Sequence, residues 1–381
     1  MSEWKEIKLG DYAKFSQGIQ IDLHLQNQEP FEGCIRFIRI VDFTKGTKDE
    51  IRYIKRPDEK YIVGEDDLVM IRYGSQTAGK IAKGFHGAIA NNTFKIEPNE
   101  DIDNSYLYHY LRQDSIYDYF RLSQSSSTMP AITFSMIGGL EMFLPPLEEQ
   151  RAIASVLSSI DDKIDLLQRQ NETLEKMAET LFRQWFVEEA DENWKEGVLW
   201  DEFDFTMGQS PPGSSFNEEG NGTPMYQGNR DFGFRFPENR VFTTEPKRFA
   251  QKFDTLISVR APVGEQNMAN EKCCIGRGVA AFRYKNNPAY YTFTFFKMKS
   301  LMDEIKQFNE TGTVFGSISK NDFRDMEVFI PPVEKVESFQ NEVKPIDDKI
   351  IMNCYQIGTL TTLRDTLLPK LMSGEVRVNY E

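Results

Sequence analysis

The side chains that most often carry catalysis or bind metals are few and scattered in this sequence. The three histidines stand alone at 24, 86 and 109, and the four cysteines form no CxxC pair or other metal-ligand spacing. No GxxxxGK[ST] phosphate loop, no FxGxG cofactor turn and no NPP-aromatic or DPP-aromatic motif occurs. These absences argue against a self-contained enzyme, and we predict no catalytic residue, no metal site and no cofactor in this chain.

Polar side chains that could read nucleic acid are instead grouped beside turns. Base edges are read by Arg, Lys, Asn and Gln, and phosphates are bound by Lys, Arg, Ser and Thr. The candidates in the first half of the chain are Arg36, Arg39, Arg72, Ser75, Gln76, Lys80, Asn91, Asn92, Thr93, Ser125 and Ser126. Those in the second half are Gln227, Asn229, Arg230, Arg260, Gln266, Arg277, Thr311 and Thr313. Plain turns, internal salt bridges and surface loops are the alternative interpretations.

The elements that carry these residues occur twice, because the chain is a tandem duplication. The matching segments are WKE at 4–6 and 194–196, LVMIR at 68–72 and LISVR at 256–260, MFLPPLE at 142–148 and VFIPPVE at 328–334, and IDDKI at 160–164 and 346–350. Their offset drifts only from 190 to 186. The two halves therefore differ by small loop insertions and together account for the whole chain.

Each half begins with a globular part for which the pattern predicts a mixed α/β fold. FIRIVDF (37–43), DLVMIRY (67–73) and AIANNTFKI (88–96) lie between Gly, Asn and Asp turns and are predicted strands. SYLYHYLR (105–112) and its counterpart AYYTFTFFKM (289–298) are predicted short helices. We expect one such globule in each half.

Each half ends in a predicted long helix with a heptad seam. The seam is regular in the first helix and weaker in the second. Its positions are Ile153, Ile160, Leu167, Asn171, Leu174 and Leu181, then Ile346, Ile350, Asn353, Leu360 and Leu367. A proline pair precedes each helix, and Pro345 is predicted to kink the second helix or mark its start.

Duplicated seams predict an antiparallel helix pair with a pseudo-two-fold relation. The midpoints of the seams are residues 169 and 355, so paired residue numbers sum to 524 and Asn171 meets Asn353. A buried asparagine pair can fix the register of two helices at some cost in stability. The alternative is that both asparagines lie near a solvated edge.

The helical segments resemble those of a known family. LPPLEEQRAIASVLSSIDDKIDLLQRQ (144–170) and ETLFRQWF (179–186) resemble the central conserved region of type I restriction–modification specificity subunits, and LRDTLLPKLMSGEVRV (363–378) resembles their distal conserved region. IPPVEKVESFQNEVKPIDDKI (330–350) is similar as well, so the resemblance covers the whole chain. With the repeat, it implies recognition domains at 1–145 and 191–332, a central spacer helix at 146–190, and a distal helix with the C-terminal tail at 333–381.

The resemblance implies a DNA sequence-specificity subunit that performs no chemistry itself. Each recognition domain would read one half of a bipartite double-stranded DNA target, and the helices would set the spacer and dock two methyltransferase subunits. S-adenosylmethionine would then be bound by the methyltransferase, and ATP and Mg by added restriction (motor) subunits. From the residues alone, the alternative is a scaffold that joins two protein partners, but the matching Arg, Asn and Gln clusters of both halves argue against it.

Taken alone, the formal net charge of −14 argues against a nucleic-acid partner, but its distribution removes the objection. Residues 146–193 carry 5 basic and 12 acidic groups, whereas residues 194–332 carry 17 and 18. Acidity is therefore concentrated in the first helical segment, and the globules have basic residues available for one face. No long apolar stretch or signal-peptide core occurs, so we expect a cytoplasmic chain without membrane contact.

Overall fold

The structure, a computed structural model, describes residues 4–44, 51–74, 77–123, 131–191, 194–308 and 316–379. The chain divides into two compact units, Met1–Ile164 with Leu360–Glu381 and Asp165–Thr359. Each unit contains one globule and a piece of both long helices. The division therefore passes through the helices, whereas the sequence-based domains were drawn at their ends.

The first globule contains ten short strands and four helices among the described residues. The strands are β1 (Lys5–Lys8), β2 (Ala13–Gln17), β3 (Cys34–Ile38), β4 (Arg52–Lys55), β5 (Ile62–Val63), β6 (Leu68–Ile71), β7 (Ile81–Ala82), β8 (Gly87–Ile89), β9 (Thr93–Pro98) and β10 (Glu141–Leu144). The helices are α1 (Ile40–Thr44), α2 (Asn104–Leu111), α3 (Asp114–Ser123) and α4 (Phe134–Gly138). The strands form sheets in the orders β2-β9-β6-β7, β4-β3-β8-β5 and β1-β10.

The first long helix is α5 (Leu147–Arg183), which continues into a π-helical turn at Gln184–Glu188. The second globule follows it. Its strands are β11 (Lys195–Val198), β12 (Phe203–Met207), β13 (Phe216–Asn217), β14 (Thr223–Tyr226), β15 (Phe242–Thr243), β16 (Phe249–Ala250), β17 (Thr255–Ser258), β18 (Gln266–Met268), β19 (Cys273–Ile275), β20 (Val279–Tyr284) and β21 (Glu327–Ile330). Its helices are α6 (Leu199–Glu202), α7 (Tyr291–Ser300), α8 (Met302–Gln307) and α9 (Lys320–Arg324), and the chain then enters α10 (Val333–Met372).

The sheets of the second globule repeat the topology of the first, with one additional edge strand, β13. Their orders are β12-β20-β17-β18, β13-β15-β14-β19-β16 and β11-β21. In each globule one sheet contains a parallel pair at its centre, β3 with β8 and β14 with β19. The structure thus confirms the predicted mixed α/β fold in two tandem copies.

Two of the predicted strands are interrupted. FIRIVDF is a strand only to Ile38, and α1 begins at Ile40, where the Asp42 carboxylate accepts the backbone N–H of Arg39 at 2.8 Å. AIANNTFKI contains two strands, β8 and β9, separated by a turn at Asn91 and Asn92. Asparagine favours such turns over continued pairing, which accounts for the second break.

The long helices pack against the globule of each unit through their seams. Ile153 and Leu157 of α5, with Leu371 and Met372 of α10, lie in the core of the first unit. Phe182 of α5, with Phe339 and Val343 of α10, lies in the core of the second. All eleven predicted seam residues are buried or half-buried. No helix in the described ranges is both long and apolar enough to cross a membrane.

Pro345 neither starts nor ends the second helix, which begins at Val333 directly after the proline pair. Proline in a helix removes one backbone hydrogen bond. Here its neighbours Val343 and Ile346 pack against the core of the second unit. The helix is continuous through the proline, so of the two predicted alternatives, a kink or a helix start at Pro345, the helix start was wrong.

The predicted asparagine pair is present within the second unit. Asn353 Nδ2 donates to Asn171 Oδ1 at 2.9 Å, and both side chains are buried. Asn171 Nδ2 in turn lies 3.5 Å from the Cys354 thiol. The antiparallel register derived from the seam midpoints is therefore confirmed at this point of the helix pair.

Candidate nucleic-acid interface

Residues from three of the predicted clusters meet in the second globule. Gln227, Asn229, Arg230, Arg260 and Arg277 line one concave surface of about 830 Å³. Gln227–Arg230 follow β14, and Arg277 follows β19. Because β14 and β19 are parallel neighbours, their carboxyl ends lie at the same edge of the sheet. Arg260 follows β17 of the neighbouring sheet. The topology therefore brings together residues that are 50 positions apart in the sequence.

The arginines of this concave surface are available for an anionic ligand. The side chains of Arg230, Arg260 and Arg277 are exposed. Within the described part of the chain, none of the three has a hydrogen-bond or ion-pair partner for its guanidinium group. Three such guanidinium groups on one surface with the amides of Gln227 and Asn229 suit both phosphate and base-edge contacts.

The backbone beneath these side chains is closely packed. Gly278 lies so near Gln227 that a Cβ atom on it would be 2.1 Å from the Gln227 carbonyl oxygen. Only glycine can occupy this position without displacing the Gln227 turn. The backbone N–H of Arg277 also donates to Ser210 Oγ at 3.2 Å. The backbone of this surface is thus held by close packing and a hydrogen bond, while its arginine side chains are exposed to solvent.

A buried aspartate holds the Gln227 turn in place. Asp231 Oδ2 accepts the backbone N–H of Gln227 at 2.7 Å, and Asp231 Oδ1 accepts Arg240 Nη2 at 3.0 Å. Charge-assisted bonds of this kind are stronger than neutral ones, so the turn is well anchored. Sequence analysis missed both Asp231 and Arg240.

The first globule also contains a buried aspartate that accepts a backbone N–H and an arginine. Asp42 Oδ2 accepts the backbone N–H of Arg39 at 2.8 Å, and Asp42 Oδ1 accepts Arg36 Nη2 at 3.0 Å. Asp42 and Asp231 stand at equivalent positions of the repeat, 189 residues apart, and both are buried. The matching aspartates of FIRIVD and YQGNRD were the signal in the sequence that could have identified them.

The candidate DNA contacts of the first half differ in the groups that their side chains contact. Arg36 and Arg39 both lie against Asp42, so the salt-bridge interpretation applies to this cluster. The Arg72 guanidinium lies over the rings of Tyr73 and Phe94, at 4.8 and 5.3 Å from their centroids. Its backbone N–H donates to the Asn92 carbonyl at 2.9 Å, which brings the second and third clusters together.

Three further candidates differ in exposure. The Lys80 side chain is exposed, and Asn91 Nδ2 donates to Gln20 Oε1 at 3.2 Å. Thr93 is fully buried, and its hydroxyl donates to the Ala90 carbonyl at 2.8 Å. Thr93 is therefore the buried first residue of β9, a position that does not favour a DNA contact.

The other second-half candidate that the structure describes lies elsewhere. Gln266 is half-buried, and its Nε2 donates to the Phe295 carbonyl at 2.7 Å, away from the concave surface. The other predicted contacts lie outside the described residues; they are Ser75, Gln76, Ser125, Ser126, Thr311 and Thr313.

These features define a protein built from two copies of one mixed α/β domain. The family model described as "Type I restriction modification DNA specificity domain" matches residues 1–176 and 191–352. The chain therefore belongs to this family and is a specificity subunit of the type I restriction–modification class, the non-catalytic subunit of such enzymes.

Known proteins similar to this chain align with it over most of both chains. The putative type I restriction enzyme MjaX specificity subunit of Methanocaldococcus jannaschii is 30% identical over 367 residues, which cover 89% of this chain and 84% of that protein. The HindI specificity subunit of Haemophilus influenzae is 22% identical and covers 99% of this chain and 100% of its own length. The crystal structure of the S subunit from M. genitalium superimposes with a TM-score of 0.62 at 20% identity, over 97% of this chain and 96% of that one.

Proposed function

We propose that each globule reads one half of a bipartite DNA target and that the long helices set the spacing of the half-sites and dock methyltransferase subunits. Family membership supports DNA recognition, and the duplicated topology supports two separate half-sites. S-adenosylmethionine would be bound by the methyltransferase subunits, and ATP and Mg by restriction subunits.

The observation that carries this proposal is the concave surface of the second globule. Its three unpaired arginines supply positive charge, and Gln227 and Asn229 supply amides that can bond to base edges. The Asp231 anchor fixes the backbone of the turn that carries Gln227, Asn229 and Arg230. A fixed polar surface discriminates between bases better than a loose one.

The proposal is tested with the chain co-produced with its methyltransferase subunit and assayed for sites of DNA methylation. Arg230→Ala with Gln227→Ala should relax or abolish recognition at one half-site and leave the other half-site unchanged. The loss at the affected half-site should be about tenfold or more for each base contact removed. Changes at both half-sites, or at neither, would contradict the assignment of this surface.

Phosphate contacts are measured separately by titrating salt in a DNA-binding assay. Binding that depends on phosphate neutralisation weakens steeply as salt rises, and each lost contact lowers the logarithmic slope by about 0.9. Arg277→Ala should lower the slope, whereas Arg324→Ala, an exposed arginine outside the concave surface, should not. A wild-type complex without salt dependence would favour the scaffold interpretation instead.

A further inference from the structure

A short hairpin, residues 231–238, joins the concave surface of the second globule to the long helix α10. The backbone N–H of Glu238 donates to the Asp231 carbonyl at 2.8 Å, which closes the base of the hairpin. The backbone N–H of Gly233 donates to the Phe236 carbonyl at 3.2 Å, which closes its tip. Asp231 also anchors the turn of the concave surface. The tip therefore lies only a few residues along the chain from the side chains of that surface.

The tip of this hairpin places a buried arginine beside α10. Arg235 is only 1% exposed, and its guanidinium carbon lies 3.9 Å from the centroid of the Phe295 ring in α7. Its Nη2 atom lies 3.4 Å from Oδ1 of Asp347 in α10, whose side chain is also fully buried. Arginine is seldom buried without a charged partner, and an apolar side chain fills such a place without the cost of desolvation. Packing alone therefore does not account for the arginine.

The ion pair gives the tip of the hairpin one favourable position. No nitrogen of the Arg235 side chain makes a hydrogen bond within the described residues, so Asp347 is the ionised group that offsets its buried charge. Burial raises the pKa of Asp347, and Arg235 acts in the opposite direction because it favours the charged carboxylate. Each charge is thus compensated when the other lies beside it. Displacement of the tip would separate the two charges.

Two further contacts fix the orientation of the tip. The Arg235 carbonyl accepts the backbone N–H of Met268 in β18 at 2.9 Å. The Phe236 ring stacks on Tyr355 of α10, with the ring centroids 5.4 Å apart and the planes inclined by 11°. The tip is therefore held against a strand of the globule and against the long helix, while the base of the same hairpin holds the turn of the concave surface.

The aspartate beside Arg235 belongs to the duplicated IDDKI segment. Its equivalent in the first unit, Asp161, also pairs with arginine. Arg364 of α10 lies with its Nη1 atom 3.0 Å from Asp161 Oδ1, and Arg112, directly after α2, pairs with Oδ2. The repeat thus places an arginine-binding aspartate in both long helices. In the second unit the arginine comes from the hairpin of the concave surface.

We propose that Arg235 is a positioning residue for DNA recognition. Its ion pair with Asp347 fixes the hairpin, and with it the turn at Gln227–Arg230, relative to α10. This inference rests on the proposed function, because it takes the concave surface as the surface that reads DNA. It adds a residue that touches no base and still determines how well bases are discriminated. Hydrogen bonds to base edges need donors held within about 0.5 Å of their place, so a looser hairpin accepts wrong bases more readily.

The test measures methylation by the full chain in complex with its methyltransferase subunit, on the cognate site and on sites with one base changed in either half-site. The ratio of these rates does not depend on the fraction of folded protein, so a loss of stability alone leaves it unchanged. Gln227→Ala with Arg230→Ala identifies the half-site that the second globule reads. Arg235→Met should lower the ratio about tenfold at that half-site and leave it unchanged at the other.

Arg235→Met with Asp347→Asn separates positioning from stability. This double variant removes both buried charges and keeps an acceptor for the Thr292 hydroxyl, so it should unfold at nearly the same urea concentration as the wild type. It should still discriminate poorly, because methionine is flexible and has no single partner. Asp161→Asn is the matched control. It breaks the equivalent pair of the first unit and should keep the wild-type ratio at the second globule's half-site.

Three results would overturn the inference and leave the proposed function standing. The first is a wild-type ratio in the Arg235 variants together with a lowered ratio in the variant of Gln227 and Arg230. The second is recovery of the ratio in the double variant, and the third is an equal loss at both half-sites. If Arg235→Met gives no folded complex, the double variant decides. A wild-type complex that tolerates base changes in both half-sites would contradict the proposed function itself.

Discussion

Two equivalent aspartates show how single residues position the candidate interface. Asp42 and Asp231 each accept a backbone N–H through Oδ2 and an arginine Nη2 through Oδ1, yet that arginine comes from β3 in the first globule and from a later loop in the second. The aspartate–arginine ion pair is therefore present in both globules, although the arginines, Arg36 and Arg240, do not occupy equivalent positions. Sequence analysis favoured Arg36 as a DNA contact because arginine type and position are visible in a sequence, whereas its ion-pair partner is not.

One buried carboxyl group gives the second unit a dependence on pH. Glu202 in α6 is buried, and neither of its carboxylate oxygens has a hydrogen-bond partner among the described residues. Burial raises its pKa to about 7, and nearby Lys297 opposes this only in part. Because the folded-state pKa is above the unfolded value, the folded form binds the proton more tightly. The contribution of the protonated Glu202 carboxyl group to the free energy of unfolding is complete below about pH 4.5 and is lost as the pH rises through 7.

Glu202→Gln should therefore raise the free energy of unfolding at pH 8, by at most about 3 kcal/mol, and change it little at pH 4.5. Glutamine keeps the shape of the side chain without the charge. Urea unfolding at both pH values measures the difference, with Asp204→Asn, an exposed carboxylate on β12, as the control. Equal effects of Glu202→Gln at the two pH values would show that its carboxyl group does not titrate in this range.

At the scale of elements, the helices were more predictable than the sheets. Heptad spacing is local, so the seams and the Asn171–Asn353 pair follow from residue spacing alone. The orders of the sheets depend on contacts between strands far apart in the chain, such as β2 with β9, and no local pattern encodes them. The concave surface could not be predicted for the same reason, although five of its residues were named individually.

The asparagine pair should respond differently to single and double substitution. Asn171→Leu leaves Asn353 buried without its acceptor and should destabilise the second unit by about 1–3 kcal/mol. Asn171→Leu with Asn353→Leu removes both polar groups and should recover most of that loss. Urea unfolding of the wild type, of Asn171→Leu, of Asn353→Leu and of the double variant gives the coupling between the residues. Additive effects would mean that the pair does not contribute as a unit.

At the scale of the whole molecule, the first unit is discontinuous in sequence. Leu371 and Met372 of α10 lie in its core, although its globule ends more than 200 residues earlier. After α10, Arg377 forms a bidentate ion pair with Glu149, whose side chain is fully buried, with Arg377 Nη2 2.6 Å from Glu149 Oε2. Arg377 also lies over the Trp4 ring. Residues 371–377 thus complete the unit that contains the first globule.

Truncation after residue 359 should therefore destabilise the first unit and spare the second. It removes Leu371 and Met372 from the core and leaves the Glu149 carboxylate buried without its arginine; loss of one partner of a buried pair costs about 3 kcal/mol or more. Hydrogen exchange should rise in peptides from residues 4–164 and stay near wild-type levels in those from 194–308. Arg377→Ala should give a smaller change of the same kind, whereas Glu375→Ala, at an exposed position, should give none. Loss of protection in both units at once would show that they unfold as one cooperative body.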